Sequence, residues 1–394
     1  MKVAIFGASG LVGAAVHQRL SQRPDMTVKP LVFSGGGAWR LARYGFALTS
    51  VDLLSREQIR DVLRDCSHVV NCARGPLDRM VPGLRNLLEE CQAAGVQRFV
   101  HLSSVAVYGD PPTPESARET APTEPEKGSY GWYKLAQDRL VSKARDKGLE
   151  GVVLCPPNIS GPFSYYALQI LALLKTGRFA LMDGGEAPCN LVDVQNLAYA
   201  VELVLDSKAS AKRERYFVTD DEATTWREFI EGLAPCLGPD LPLPEISRAE
   251  LQALARPNGV AKGSLGRTIK HLVSSDVRAA LRQDPLLAKL DRAVRGSIAM
   301  LPSALEDKLR LSIEGPLPIP RVGEAPPFDP RLCGQQLRGV RHSCDALKQD
   351  FGYRPVVSFE ESTSIFRQWY ERLHGVEGPE LSLLRELWPN GARN

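Results

Sequence analysis

Three glycines at three-residue spacing, Gly7, Gly10 and Gly13, follow the apolar run Lys2–Phe6 and open a helical stretch: VAIFGASGLVGAAV. A strand that ends in a glycine turn and enters a helix starts a parallel α/β sheet. Gly7 permits the tight turn, Gly10 lets backbone approach a pyrophosphate, and Gly13 lets the helix pack closely. The helix N-terminus then faces phosphate charge. The spacing is GxxGxxG rather than GxGxxG, and a glycine triplet alone is also compatible with a structural turn. Its place directly after a strand points to a dinucleotide cofactor held by Gly7, Ser9, Gly10, Leu11, Val12 and Gly13.

The pattern repeats downstream. Strands are expected at Lys2–Phe6, 28–33, 46–51, 68–72, 98–103 and Gly151–Cys155. Helices are expected at 10–20, 56–66, 81–94 and 130–147. Strands spaced by crossover helices imply an α/β fold, a doubly wound parallel sheet covered on both faces. Residues 1–160, with returning segments near 190–205, are expected to form the cofactor domain. Residues 161–394 are expected to form a smaller, mixed substrate part, with helices at 167–175, 194–205 and 225–237. A helix-rich insert is expected at about 240–335, between the Pro-rich stretches LGPDLPLPE and IEGPLPIPRVGEAPPFDP.

The end of the second strand bears on the choice of dinucleotide. NAD binders place an acid there, about 20 residues past the loop, for the ribose 2′-OH. Here the stretch reads LVFSGGGAWRLARYG, without an acid. Ser34, glycine amides, Arg40 and Arg43 suit a 2′-phosphate, which points to NADP over NAD. Asp52 and Leu53 follow the third strand, where Asp52 can reach the adenine amine or serve as a helix N-terminal residue.

The chemistry concentrates in SYGWYKLAQD. Tyr130 and Lys134 are four residues apart and share one helix face, whereas Tyr133 points about a quarter-turn away. A neighbouring ammonium is expected to lower the phenol pKa from about 10, suiting Tyr130 to proton transfer with a carbinol. A second donor for the substrate oxygen is offered by Ser103 or Ser104 in FVHLSSVAVYGD. These serines end a strand at the C-terminal edge of the sheet, where ligands bind.

The bulk numbers exclude other classes. A formal charge of +3, with no block of Lys and Arg, gives no case for nucleic acid. The eight cysteines form no CxxC pair and the six histidines are far apart, so no metal is assigned. The cysteines read as small buried hydrophobes of a reducing compartment. No signal peptide or membrane-length apolar run is seen, so a cytoplasmic protein is the expectation.

Taken in order, GASGLVG (7–13), SVDLL (50–54), VVNCA (69–73), HLSSVAVYG (101–109), ETAP (119–122), YGWYK (130–134), CPPNISGP (155–162), NLVDVQNLAYAV (190–201) and ALKQDFGYRPVVSFEES (346–362) resemble the extended short-chain dehydrogenase/reductases. The likeness is to their NAD-dependent epimerase/dehydratase group, with features of 3β-hydroxysteroid dehydrogenase-like relatives. It spans about 1–235 and 340–375 and implies a Rossmann-type fold. By this resemblance Tyr130 is the general acid/base, Lys134 binds the nicotinamide ribose, and Ser104 holds the reacting oxygen. Asn71, Cys72 and Ala73 lie along the cofactor, with Pro157 and Asn158 beside the nicotinamide. A homodimer through helices near 77–95 and 130–147 is implied as well.

The departures are informative. Val105 and Ala106 stand where dehydratases carry an acid, which argues against dehydration. Cys155 replaces an arginine frequent before the proline, and Gln195-Asn196 replaces a second Asp after VDV. Two readings of the hydride transfer stay open: an epimerase acting on a nucleotide sugar, or a net ketone reductase acting on a small or apolar substrate. A dinucleotide-binding regulator is the non-enzyme alternative. In the insert, Leu286, Leu287, Leu290 and Val294 at helical spacing fit a lid or dimer face, and leave peripheral contact with a membrane open.

Overall fold

The computed structural model describes residues 1–34, 38–42, 48–238, 241–255 and 328–374. The chain divides into two compact units, Met1–Arg248 with Phe328–Asn394, and Ala249–Pro327. The first unit carries the sheet and everything discussed below. The helical insert expected around Leu286–Val294 lies outside the described residues, as do Arg43 and Gly35–Gly37.

The central sheet has seven strands, all parallel: β1 (Lys2–Phe6), β2 (Thr27–Val32), β3 (Thr49–Ser50), β4 (His68–Asn71), β5 (Arg98–Leu102), β6 (Gly151–Cys155) and β10 (Tyr216–Phe217). Their spatial order is β10-β6-β5-β4-β1-β2-β3. Six of them follow the 3-2-1-4-5-6 order of dinucleotide-binding sheets, which reverses between β1 and β4. The third strand is shorter than the sequence suggests, and residues 46 and 47 of that expected strand are outside the described residues.

The strands read as continuous apolar runs because both faces are covered. Alternate side chains enter two separate cores. Val3, Ile5, Val70, Val100, Val152, Leu154 and Tyr216 join one, with residues of α1 (Leu11–Leu20) and α7 (Val194–Asp206). Ala4, Phe6, Val69, Phe99, Val153, Cys155 and Phe217 join the other, with α3 (Arg56–Leu63), α4 (Leu77–Ala93) and α5 (Tyr130–Arg145).

A smaller mixed region follows β6. Strand β7 (Asn158–Ser160) pairs with β9 (Leu191–Asp193), and β8 (Leu181–Met182) with β11 (Glu245–Ile246). Helices α6 (Tyr165–Lys175) and α8 (Trp226–Leu233) pack through aromatic rings, with Tyr166 stacked on Phe229 at 6.1 Å. The returning segment ties back by side chains: the Gln336 amide donates to the Ala180 carbonyl, and Asn190 donates to the Val340 carbonyl.

Candidate active site

The glycine loop is built as its spacing demands. Gly7 adopts φ +81°, and a Cβ there would lie 2.7 Å from Ala73 backbone atoms. A Cβ on Gly13 would lie 2.3 Å from the Gly7 carbonyl oxygen, so the first turn of α1 sits directly on the β1 turn. Gly10 is the N-cap of α1 and supplies no side-chain cap. The opening N–H groups of the helix are thus left for an anion. Around this turn a cleft is lined by Gly7, Ser9, Gly10, Asp52, Leu53, Asn71, Cys72 and Ala73, among others. It lies at the C-terminal edge of the sheet, where the strand order reverses. A cradle closed to any Cβ, an uncapped helix start and a cleft across the switch point fit a dinucleotide.

Other expected cofactor residues stand apart from this cleft. Ser34 is exposed beyond the end of β2, and Arg40 donates to the Ser9 carbonyl (3.1 Å). Neither lines the cleft. Asp52 accepts the Leu54 N–H and pairs with Arg79 at 2.9 Å. The Arg79 guanidinium also lies 5.5 Å from the centroid of the Phe33 ring, just past β2. Arg79 has no signal in the sequence, since it lies in the first turn of α4 and reaches the β2 edge only through the fold. Pro157 and Asn158 follow β6, where the Val105 N–H donates to the Pro156 carbonyl.

Ser104 is the N-cap of the 3₁₀ turn Val105–Tyr108, and its hydroxyl oxygen accepts the Ala106 N–H. Its own O–H remains able to donate. Helix α5 starts from Ser129, which caps it by accepting the Trp132 N–H. Gly131 then brings the helix in: a Cβ at that position would lie 2.0 Å from the Ala106 carbonyl oxygen. This contact seats Tyr130 against the Ser104 turn, and the sequence alone did not single Gly131 out.

The Lys134 ammonium is buried, donates to the Leu102 carbonyl at 2.7 Å, and lies 5.9 Å from the centroid of the Tyr130 ring. Tyr133 instead packs edge-on against Trp132. The Tyr130 hydroxyl has no hydrogen-bond partner among the described residues.

The phenol does not behave as the sequence suggests. Burial pushes the Tyr130 pKa up to about 12, and the charge that opposes this is Arg74 rather than Lys134. Lys134 is itself lowered to about 8 by burial, with Asp138 the leading charge that holds it up. Desolvation therefore outweighs the neighbouring charges for both groups, raising the phenol and lowering the ammonium.

Behind Lys134 lies a buried polar cluster that sequence reasoning missed. Asp138 is one further turn along α5, and burial raises its pKa to about 6. Arg215 Nε approaches it at 3.4 Å, His101 Nε2 at 3.9 Å, and the Ser103 hydroxyl faces it. The tautomer of His101 follows from its neighbours. Asn71 Oδ1 accepts the Ala73 N–H (3.1 Å), so the Asn71 amide nitrogen donates to His101 Nδ1 (3.1 Å). The imidazole proton is then on Nε2, aimed at Asp138. Asn71 lines the cleft, so cleft wall and buried carboxyl are joined through one histidine. The i, i+4, i+8 series Tyr130, Lys134, Asp138 was the available signal. Cys155 is fully buried beside this cluster with its thiol pushed up, which fits a packing residue.

Comparison with known proteins agrees with this geometry. The chain is 23% identical over 381 residues to a 2-alkyl-3-oxoalkanoate reductase of Shewanella oneidensis, covering 91% of this chain and 83% of that protein. It is 24% identical over 252 residues to the UDP-glucose 4-epimerase of Vibrio cholerae, covering 60% and 75%. Its fold matches the crystal structure of UDP-glucuronic acid 4-epimerase from Bacillus cereus in complex with NAD, with a TM-score of 0.63 at 14% identity over 95% of this chain and 99% of that one. The model of the NAD dependent epimerase/dehydratase family matches residues 3–218, more than half of the chain and the whole span from glycine loop to last sheet strand. The chain is therefore a member of that family, an NAD(P)-dependent enzyme of the extended short-chain dehydrogenase/reductase type.

Proposed function

We propose that the protein is an NAD(P)-dependent reductase that interconverts a ketone and a secondary alcohol. The observation that carries this reading is the placing of Tyr130: its hydroxyl is free, its pKa is held at about 12, and it sits on the turn that presents Ser104. A phenol kept protonated at neutral pH is suited to give a proton. No acidic side chain follows Ser104, where Val105 and Ala106 stand, so expulsion of water is not provided for. The similarity to the Shewanella reductase over 91% of the chain supports the same choice over an epimerase.

A reduced nicotinamide dinucleotide, when bound, supplies the hydride to the ketone carbon. The Ser104 O–H donates to the ketone oxygen and orients it. Tyr130 transfers its phenolic proton to that oxygen, so the ketone becomes an alcohol and the tyrosine a phenolate. Lys134 keeps two N–H donors beyond the Leu102 carbonyl for a ribose, and its charge stabilises the phenolate. Gly7, Ser9, Gly10, Leu11, Val12 and Gly13 hold the pyrophosphate, while Leu53, Asn71, Cys72 and Ala73 line its path.

NADP is the favoured dinucleotide, because no carboxylate follows β2 and Arg79 stands over Phe33 at that edge. The segments after Ser160 form the substrate part. A homodimer through α4 and α5 is supported by the exposed Leu77 and Trp132 on those helices. The test is titration of the purified protein with NADPH and NADH, followed by turnover of 3-oxo compounds. Tighter NADPH binding and net ketone reduction support the reading. Retained NAD that exchanges with nothing, together with inversion of a nucleotide sugar, refutes it.

A further inference from the structure

Arg74 lies in the loop between β4 and α4 and lines the same cleft as Gly10 and Asn71. Its guanidinium carbon is 4.8 Å from the centroid of the Tyr130 ring. It makes no hydrogen bond or ion pair with any described residue. The other arginines nearby are engaged: Arg79 is paired with Asp52 and Arg40 donates to the Ser9 carbonyl. A guanidinium resting on a ring face is only weakly held and presents its planar fork of donors to the cleft.

Three anions could meet that fork. The pyrophosphate already has the uncapped start of α1, at the glycine loop. A 2′-phosphate belongs at the far end, beside β2. What remains, next to the ring that delivers the proton, is the substrate.

We propose that Arg74 binds a carboxylate carried on the carbon next to the reacting ketone carbon, as in a 3-oxo acid. In such a substrate the ketone and carboxylate oxygens are close neighbours, so one phenol and one guanidinium can hold both. The charge logic agrees. A carboxylate beside Tyr130 disfavours the phenolate that forms as the proton leaves. Arg74 offsets both negative charges, and it already opposes the upward shift of the Tyr130 phenol. A uronic acid carries its carboxylate in the same relation to its reacting carbon, so the shared chemistry is an acid next to the carbinol. The inference rests on Ser104, Tyr130 and Lys134 acting as assigned above.

The test compares wild type, Arg74→Gln and Arg74→Lys on matched probes. These are a chain-length series of 3-oxo acids, their methyl esters, and a nucleotide-linked uronic acid beside its neutral sugar. Binding of each acid to the protein with oxidised cofactor is measured by calorimetry, in a Tyr130→Phe background as well. The expected result is preference for acid over ester, a roughly 10–100-fold loss on acids alone in Arg74→Gln, and partial recovery in Arg74→Lys. The same loss must appear in acid affinity. Preference within the oxo-acid pair or within the sugar pair identifies the source of the carboxylate.

Equal loss on acids and esters, equal acid affinity in wild type and Arg74→Gln, or no acid binding by wild type each overturn the proposal. Acid binding that depends on Arg74 without any turnover upholds Arg74 and instead refutes the reductase assignment. Weaker NADPH binding alone in Arg74→Gln assigns the residue to the pyrophosphate and also overturns the proposal.

Discussion

Replacing Arg215 by methionine isolates the buried charge behind the active site. The side chains of Arg215 and Asp138 are 7% and 2% exposed, so neither has water to fall back on. Asp138 has a folded pKa of about 6 against 3.8 for a free carboxyl, a difference of about 3 kcal/mol against the folded state at neutral pH. The sign follows from proton binding. The folded carboxyl binds its proton more tightly than the unfolded one, so the penalty is full above pH 6, shrinks between pH 6 and 4, and is absent below. Arg215 is the main influence that keeps this penalty from being larger. Without it the Asp138 pKa rises further, and at pH 8 the variant should lose about 3–5 kcal/mol. At pH 5 the carboxyl is mostly neutral in both proteins, and the losses are packing, the guanidinium's contact with the Tyr108 ring and the pair with the exposed Glu214, about 1–2 kcal/mol. Urea denaturation of both proteins at pH 5 and pH 8 measures the difference. The double variant Arg215→Met with Asp138→Asn should recover most of the loss at pH 8 and show no pH dependence from this pair. An equal loss at both pH values, or no recovery in the double variant, refutes the reasoning.

Three further outcomes follow from the same geometry. Tyr130→Phe should lower kcat by roughly 10²–10⁴-fold while leaving the dinucleotide dissociation constant unchanged, read by steady-state kinetics and fluorescence titration. Gly131→Ala places a methyl 2.0 Å from the Ala106 carbonyl oxygen and must push α5 off the Ser104 turn; kcat should fall at least tenfold, and a crystal structure should show the shift. The Lys134 pKa of about 8 predicts loss of activity as pH rises through 8, and Asp138→Asn should move that limit downward, because the aspartate is the leading charge that favours the ammonium.

Much of the fold was legible because it rests on local patterns. The glycine turn, the apolar strands and the Tyr-x-x-x-Lys spacing each express a backbone or helix period that a sequence carries directly. An apolar run does not say how many residues find a partner, and among the described residues of the expected third strand only Thr49 and Ser50 pair with β2. The cofactor edge was harder still. Arg40 looked available for a phosphate because it follows β2 closely in sequence, yet its guanidinium turns to the Ser9 carbonyl. Among the described residues, Arg79, some 46 positions after Phe33, reaches that edge.

The electrostatics of the site shows where sequence reasoning must stop. The tyrosine and its lysine could be paired from spacing, but the direction of the phenol's shift depends on the balance of burial against charge. That balance is set by burial and by residues from three segments: Arg74 after β4, Asp138 on α5 and Cys155 at the end of β6. Of these only Asp138 shares a sequence stretch with Tyr130, and its eight-residue spacing has many innocent explanations. Burial wins because the sheet edge, the 3₁₀ turn and α5 close together at Gly131 and exclude water from the lysine. The contact that aligns Ser104 with Tyr130 therefore also keeps the phenol protonated. Loosening it in Gly131→Ala should let water in and lower the Tyr130 pKa even as it costs rate.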